Sequence, residues 1–207
     1  MSIARWRATM APIAIKTHLP WGCGMTRTSK EQIMRKLLMG LALASIAVPA
    51  SSALSVGSKA PDFTTTGAIA GKPFKLHLAE QLKHGPVVLY FFPKAFTSGC
   101  TLEAHAFSEA TADFKKLGAR VIGMSADDLK TLEDFSVKEC RNKFPVATAS
   151  PAVRQAYDVV LKQKPEFANR TSYVIAPDGR IVMEYTNLDP SEHVQRALAA
   201  VKSLKGK

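Results

Sequence analysis

One cysteine stands where its thiol could act as a nucleophile. Cys100 closes the segment PKAFTSGC, which follows a continuous apolar run and precedes a helical pattern. The first backbone N–H groups of a helix lack partners and the helix dipole is positive there, so this turn stabilises a thiolate. Thr97 can present its hydroxyl to the sulfur or to an oxygen bound beside it, and Pro93 can screen the thiolate from water. The alternative is that Cys100 is a small packing residue.

The residues before Cys100 limit the redox chemistry that this turn supports. A dithiol oxidoreductase needs Cys-x-x-Cys, whereas this chain has Thr97 where the first thiol would stand. No internal dithiol is then available at the turn to exchange with substrate disulfides. The remaining chemistry is oxidation of one thiolate to a sulfenic acid, followed by its reduction. Disulfide isomerase activity is therefore not expected.

The elements around Cys100 predict an α/β fold. A buried strand at 87–92 leads into the cysteine turn, and apolar residues recur at helical spacing until Gly118. The remaining segments predict a hairpin within 54–85, a strand at 120–125, a helix at 129–142, a strand at 145–149, a helix at 151–160, two strands about Pro177-Asp178-Gly179 and a helix at 191–204 with Ser191 as its N-cap. This order indicates one domain with a central mixed β-sheet flanked by helices.

Two segments carry a resemblance to a known family. The pattern P-x-x-x-T-x-x-C after a β-run resembles the peroxiredoxin active site, and RTSYVIAPDG at 170–179 resembles the matching block of the PrxQ, or bacterioferritin comigratory protein, branch. The resemblance covers nearly all of 54–207. It implies a thioredoxin-like fold with peroxiredoxin insertions, within the AhpC/TSA-like group. It also implies a thiol-dependent peroxidase for hydrogen peroxide and organic hydroperoxides, with no cofactor and a thioredoxin-like or other thiol reductant as partner.

The same resemblance implies a role for each candidate site residue. Cys100 would be the peroxidatic cysteine, and Arg170 would hold the thiolate and the peroxide oxygens. Thr97 would hydrogen-bond peroxide, Pro93 would shield the site, and Glu103 would orient the arginine. The chemistry agrees, because cleavage of an O–O bond builds negative charge on the leaving oxygen, and a fixed cation there lowers the barrier. Without the second block, Arg170 would be interpreted as a surface charge before a strand.

The sequence leaves open which thiol reacts with the sulfenic acid of Cys100. Many members of the branch carry a second cysteine five residues after the first, where this chain has His105. Cys140, on the next predicted helix, is therefore a possible resolving cysteine, and a disulfide with Cys100 would require local unwinding. The alternative is a buried structural thiol, since Cys140 falls on the apolar face of that helix. No histidine forms a ligand pattern with Cys100, and we expect no metal.

The net charge of +11 is concentrated at the front of the chain. The first 53 residues hold seven basic residues and one acid, which leaves 21 basic and 16 acidic residues in 54–207. Residues 34–53 have the order of a signal peptide: Arg35-Lys36, an apolar stretch at 37–48, then small residues ending at Ala53. The apolar stretch spans about 18 Å as a helix, short of a membrane core of about 30 Å.

The chain therefore divides into a front segment at 1–53 and a peroxiredoxin-like domain at 54–207. Cleavage after Ala53 predicts an exported, periplasmic protein with no stable membrane association, whereas an uncleaved signal would anchor it. No basic helix or aromatic stacking stripe in 54–207 supports nucleic-acid binding, and the resemblance favours a monomer over a dimer. The alternative function is a non-catalytic thioredoxin-fold protein that binds partners or acts like a chaperone.

Overall fold

The structure is a computed structural model that describes residues 53–205. The predicted N-terminal extension, and the predicted signal peptide up to its last residue, lie outside the described residues. Within 53–205, none of the helices has the length and apolar character needed to cross a membrane.

Seven strands form one mixed sheet in the order β2-β1-β5-β4-β3-β6-β7. The strands are β1 (Thr64–Ile69), β2 (Lys72–His77), β3 (Val87–Phe91), β4 (Arg120–Ser125), β5 (Val146–Thr148), β6 (Thr171–Ile175) and β7 (Ile181–Thr186). The helices are α1 (Leu78–Leu82), α2 (Ser98–Lys116), α3 (Leu129–Lys138), α4 (Pro151–Ala156) and α5 (His193–Lys205). Strand β3 is central, parallel to β4 and antiparallel to β6.

The central strand separates two hydrophobic cores. All five residues of β3 are buried, and successive side chains of a strand point to opposite faces of the sheet. Leu89 and Phe91 pack with residues of α1 and α4 on one face. Tyr90 packs with residues of α2, α3 and α5 on the other. Helices on both faces of a mixed sheet confirm the predicted fold class.

The predicted elements are present, and several of their ends differ from the prediction; the helix expected at 151–160, for example, ends at Ala156. Helix α3 ends at Lys138 rather than at residue 142, because Arg141 and Asn142 have φ of +51° and +59°, which a helix does not accommodate. Cys140 therefore lies in the turn after α3 and not within the helix. Helix α5 begins at His193, two residues after Ser191.

Candidate active site

The loop between β3 and α2 is held by β4 and the residues after it. The Phe92 N–H donates to the Met124 carbonyl at 2.9 Å, and the Ala95 N–H donates to Asp127 Oδ2 at 2.8 Å. Phe96 then turns the chain with φ of +61°. These contacts place the first turn of α2 directly at the carboxyl end of the central strand, with Cys100 as its third residue.

The Cys100 sulfur is buried against a guanidinium group. Cys100 is 1% exposed and Arg170 is 4% exposed, and Arg170 Nη2 donates to Cys100 Sγ at 3.5 Å. Arg170 immediately precedes β6, whose first residue pairs with the last residue of β3. Its Nε donates to the Leu188 carbonyl at 2.8 Å, which fixes the side chain. The pairing of β3 with β6 thus brings together two residues that lie 70 positions apart.

Glu103 lies on α2 with Cys100 and binds a second nitrogen of the Arg170 guanidinium. Its Oε2 accepts a hydrogen bond from Arg170 Nη1, and the carboxyl is fully buried. Burial raises the pKa of the Glu103 carboxyl to about 8, although Arg170 acts in the opposite direction. The second oxygen, Oε1, has no hydrogen-bond partner.

Gly99 was missed as a site residue, and only its neighbours in space show its role. A Cβ added at Gly99 would lie 3.0 Å from Arg170 Nη2, closer than almost all real Cβ contacts. The absent side chain lets the guanidinium lie against the helix start beside the sulfur. The glycine next to Cys100 in the sequence was the only signal available.

Thr97 and Pro93 lie in the loop between β3 and Cys100. Thr97 is exposed and stands at the N-cap of α2, and its hydroxyl donates to the Lys94 carbonyl at 2.9 Å. The lone pairs of Thr97 Oγ1 remain able to accept a hydrogen bond from a bound hydroperoxide. Pro93 is half-buried in the same loop.

Cys140 is buried in the core on the same face of the sheet as Cys100, and both are free thiols. Its N–H donates to the Phe135 carbonyl at 3.0 Å, and burial raises the pKa of its thiol strongly. The neighbouring Glu139 accepts a hydrogen bond at 2.8 Å from His105 Nε2 on α2, if the ring nitrogen carries the proton. In this conformation the Cys140 thiol is buried and its ionised form is disfavoured.

Residues 53–205 contain no group of three or more histidine, cysteine or acidic side chains arranged to hold a metal ion. His193 is a second residue that sequence reasoning missed. It is fully buried at the start of α5, with Nδ1 at 3.6 Å from Glu103 Oε1. A histidine at a helix start gives no signal of such a contact.

A buried thiol at the start of a helix contacts the arginine that immediately precedes strand β6. On a thioredoxin-like fold, this arrangement defines the peroxiredoxin class. The chain belongs to the AhpC/TSA family, whose profile matches residues 56–184. It is a thiol-dependent peroxidase, which agrees with the function implied by the sequence motifs.

The chain is also similar to named peroxiredoxins and to a solved structure of a peroxidoxin. The chain is 33% identical to chloroplastic peroxiredoxin Q of Sedum lineare over 72% of this chain and 78% of that protein. It is 31% identical to peroxiredoxin Bcp of Bacillus subtilis over 74% of this chain and 99% of that protein. The crystal structure of peroxidoxin BcpB from Mycobacterium tuberculosis is similar with a TM-score of 0.64 and 28% identity, covering 73% of this chain and 98% of that chain.

Proposed function

We propose that Cys100 is the peroxidatic residue. Its thiolate attacks one oxygen of a hydroperoxide, an S–O bond forms, the O–O bond breaks, and the other oxygen leaves and takes a proton from water. The sulfur is oxidised to a sulfenic acid and the peroxide is reduced to an alcohol or to water. The observation that carries this proposal is the Arg170 guanidinium at 3.5 Å from the sulfur in a buried site.

Arg170 stabilises the charge that moves in this step. Negative charge passes from the sulfur to the leaving oxygen, and a fixed guanidinium beside both lowers the barrier most where water is excluded. Glu103 and the Leu188 carbonyl hold the guanidinium in place through Nη1 and Nε. This leaves Nη2 directed at the sulfur. Glu103 is thus a positioning residue.

Thr97 and Pro93 complete the pocket for the peroxide. The Thr97 hydroxyl is committed as a donor to Lys94, so it acts as an acceptor for the O–H of the hydroperoxide. Pro93, which has no N–H, closes the loop against water. Both residues belong to the substrate side of the site.

We propose that Cys140 resolves the sulfenic acid. Its sulfur attacks Cys100, an S–S bond forms, and water leaves. A dithiol partner of the thioredoxin type then reduces the disulfide and is itself oxidised. Both thiols are buried, so the turn after α3 and the first turns of α2 have to open before the sulfurs meet.

The experiment is stopped-flow consumption of hydrogen peroxide by the reduced 54–207 chain with a thioredoxin system. We expect Cys100→Ser to abolish turnover, and Cys140→Ser to leave the first oxidation intact while slowing recycling. Mass spectrometry after one equivalent of peroxide should show the Cys100–Cys140 peptide. Turnover equal in wild type and Cys100→Ser would contradict the peroxidatic role, and only free or glutathionylated Cys140 would contradict the resolving role.

We also propose that the chain is exported and works in the periplasm as a monomer. The basic, apolar and small-residue order of 34–53 supports export. Ala53 packs within the core and the Leu54 N–H donates to Tyr173 Oη at 3.1 Å, so cleavage after Ala53 has to precede folding. Intact mass of the protein from the periplasmic fraction tests cleavage, and light scattering tests the monomer. A full-length mass in the cytoplasmic fraction would overturn the proposal.

A further inference from the structure

Four buried titratable side chains form one continuous series of contacts behind the reactive sulfur. Arg170 Nη2 lies 3.5 Å from Cys100 Sγ, and Nη1 donates to Glu103 Oε2. The other oxygen of Glu103 lies 3.6 Å from His193 Nδ1. His193 and Glu103 are both fully buried. The reactive thiol is therefore linked, through the arginine and the carboxyl, to a histidine that does not touch the substrate.

The charges of this cluster do not balance when Cys100 is a thiolate. A thiolate and an ionised Glu103 carry two negative charges against the single positive charge of Arg170. An unbalanced charge in a buried site is costly. One additional proton on Glu103 or His193 restores neutrality. Glu103 Oε1 is the buried oxygen that has no hydrogen-bond partner, and it faces the imidazole.

The hydrogen bonds of His193 permit this proton in either place. Its Nε2 donates to the Asn187 carbonyl at 2.9 Å, and Nδ1 pairs with Ser172 Oγ at 2.8 Å. A hydroxyl can donate to a neutral Nδ1 or accept from a protonated one. Protonation of His193 therefore breaks none of its contacts. A proton on Glu103 Oε1 instead leaves the neutral imidazole and its two hydrogen bonds unchanged.

Some of the remaining groups that face His193 raise the pKa of its imidazole, and others lower it. The ring of Tyr185 on β7 packs against the imidazole with centroids 4.8 Å apart. Arg170, before β6, and Arg196, on α5, disfavour a charged imidazole, whereas Asp189 in the loop before α5 favours it. Burial lowers the pKa of His193 and raises the pKa of Glu103 to about 8. Both pKa shifts favour a proton on Glu103 over a proton on His193.

We propose that Glu103 and His193 hold one proton between them in the reduced enzyme, and that His193 thereby acts as a positioning residue for the peroxidase reaction. With that proton in place, Glu103 still accepts from Arg170 through Oε2 but carries no negative charge. The full charge of the guanidinium is then directed at the sulfur and the leaving oxygen. Loss of the proton places a second negative charge beside the arginine, which weakens the stabilisation. The inference rests on Cys100 being the peroxidatic residue.

The first test is the pH profile of the second-order rate constant for hydrogen peroxide. We expect the wild-type rate to fall near pH 8, as Glu103 loses its proton. Glu103→Gln should have no falling limb, because its amide cannot ionise. His193→Asn offers an amide donor to the carboxylate, so the falling limb should move down by about one pH unit. The exposed His84→Asn is the control and should leave the falling limb in place.

The second test does not depend on activity. In the reduced enzyme with ¹³C-labelled glutamate carboxyls, one resonance should titrate near pH 8, and it should be missing in Glu103→Gln. A falling limb that stays at the same pH in Glu103→Gln overturns the proposal, as does titration of all glutamates below about pH 5. The labelled titration keeps the test valid if His193→Asn does not fold. Absence of peroxidase activity with the titration present would instead contradict the role of Cys100.

Discussion

Arg170 is the residue on which the chemistry of the site depends. All three of its guanidinium nitrogens are bound, to Cys100, Glu103 and the Leu188 carbonyl. A side chain with three fixed contacts loses little freedom during the reaction, so its charge is placed before the transition state forms. Lysine could supply the charge but not the planar set of donors.

The first prediction concerns this guanidinium. We expect Arg170→Gln to lower the rate constant for peroxide by about two to three orders of magnitude, the usual cost of removing one donor to a developing oxyanion. Stopped-flow oxidation of the reduced enzyme measures it. Arg180→Gln is the matched control, because Arg180 is exposed in the turn between β6 and β7 and its side chain forms an ion pair with Asp178. An equal loss in both variants would contradict the assigned role.

The second prediction concerns Gly99. We expect Gly99→Ala to lower the peroxide rate constant by about tenfold. The new Cβ would lie 3.0 Å from Arg170 Nη2 and would push the guanidinium away from the sulfur. The same kinetic assay measures it, with thermal unfolding to show that the fold is kept. Ser98→Ala, on the exposed side of the same turn, is the control and should retain the wild-type rate. A fully active Gly99→Ala enzyme would show that Arg170 tolerates displacement.

At the scale of elements, α2 and the turn after α3 are joined by a histidine–carboxylate hydrogen bond and an ion pair. His105 and Glu139 are half-buried and meet at 2.8 Å, whereas Arg141 and Glu109 are exposed and meet at 3.3 Å. Both pairs fix the turn that contains Cys140 against the helix that contains Cys100. Exposed pairs stabilise weakly, so the half-buried pair is the stronger of the two clamps.

The third prediction follows from these clamps. In the Cys100→Ser background we expect Cys140 to react with a maleimide far more slowly in the native protein than in urea, because the thiol is buried and burial raises its pKa. His105→Ala should raise the native rate about fivefold, as expected for loss of about 1 kcal/mol. Intact mass against time measures it.

Arg141→Gln is the control for this clamp and should have a smaller effect, since that pair is exposed. Equal labelling rates in the parent and in His105→Ala would contradict the proposal that the half-buried pair holds the turn closed. The same variant should form the Cys100–Cys140 disulfide faster when Cys100 is restored, which ties the clamp to the resolving step.

At the scale of the whole molecule, the reactive thiol and the buried carboxyl beside it lie on the same side of the sheet. The core formed with α2, α3 and α5 contains both cysteines, and Glu103 is buried on α2 beside it. The opposite core is closed by Tyr157 and Tyr173, which bond to backbone carbonyls through their hydroxyls. A buried ionisable group makes the stability of the whole fold depend on pH.

The fourth prediction gives this dependence its sign. The pKa of Glu103 is raised from 4.5 to about 8 in the folded chain. The folded state binds the Glu103 proton more tightly than the unfolded chain does. The contribution of this proton to the free energy of unfolding is therefore complete below pH 4.5 and is lost as the pH rises to about 8. We expect Glu103→Gln to remove this slope, which is at most about 1.4 kcal/mol per pH unit.

Urea unfolding of both proteins from about pH 5 to about pH 8 measures the difference. A constant difference between the two free energies of unfolding across this range would contradict a protonated Glu103. A wild-type protein that gains stability relative to Glu103→Gln as the pH rises would reverse the assigned sign.

The sequence by itself determined the mixed sheet and the reactive turn, and its resemblance to peroxiredoxins implied the contact of Arg170 with Cys100. The apolar run at 87–92 and the glycine- and proline-bounded turns are local signals, and the motifs around Cys100 and Arg170 have fixed spacing. The end of α3 was not determined, because the left-handed conformation of Arg141 and Asn142 is not encoded by their residue types. Gly99, the Leu188 carbonyl and His193 were decided only by the tertiary structure. Their roles come from contacts with Arg170 and Glu103 across the pairing of β3 with β6 and the packing of α5, and such contacts between distant segments leave no periodic trace in the chain.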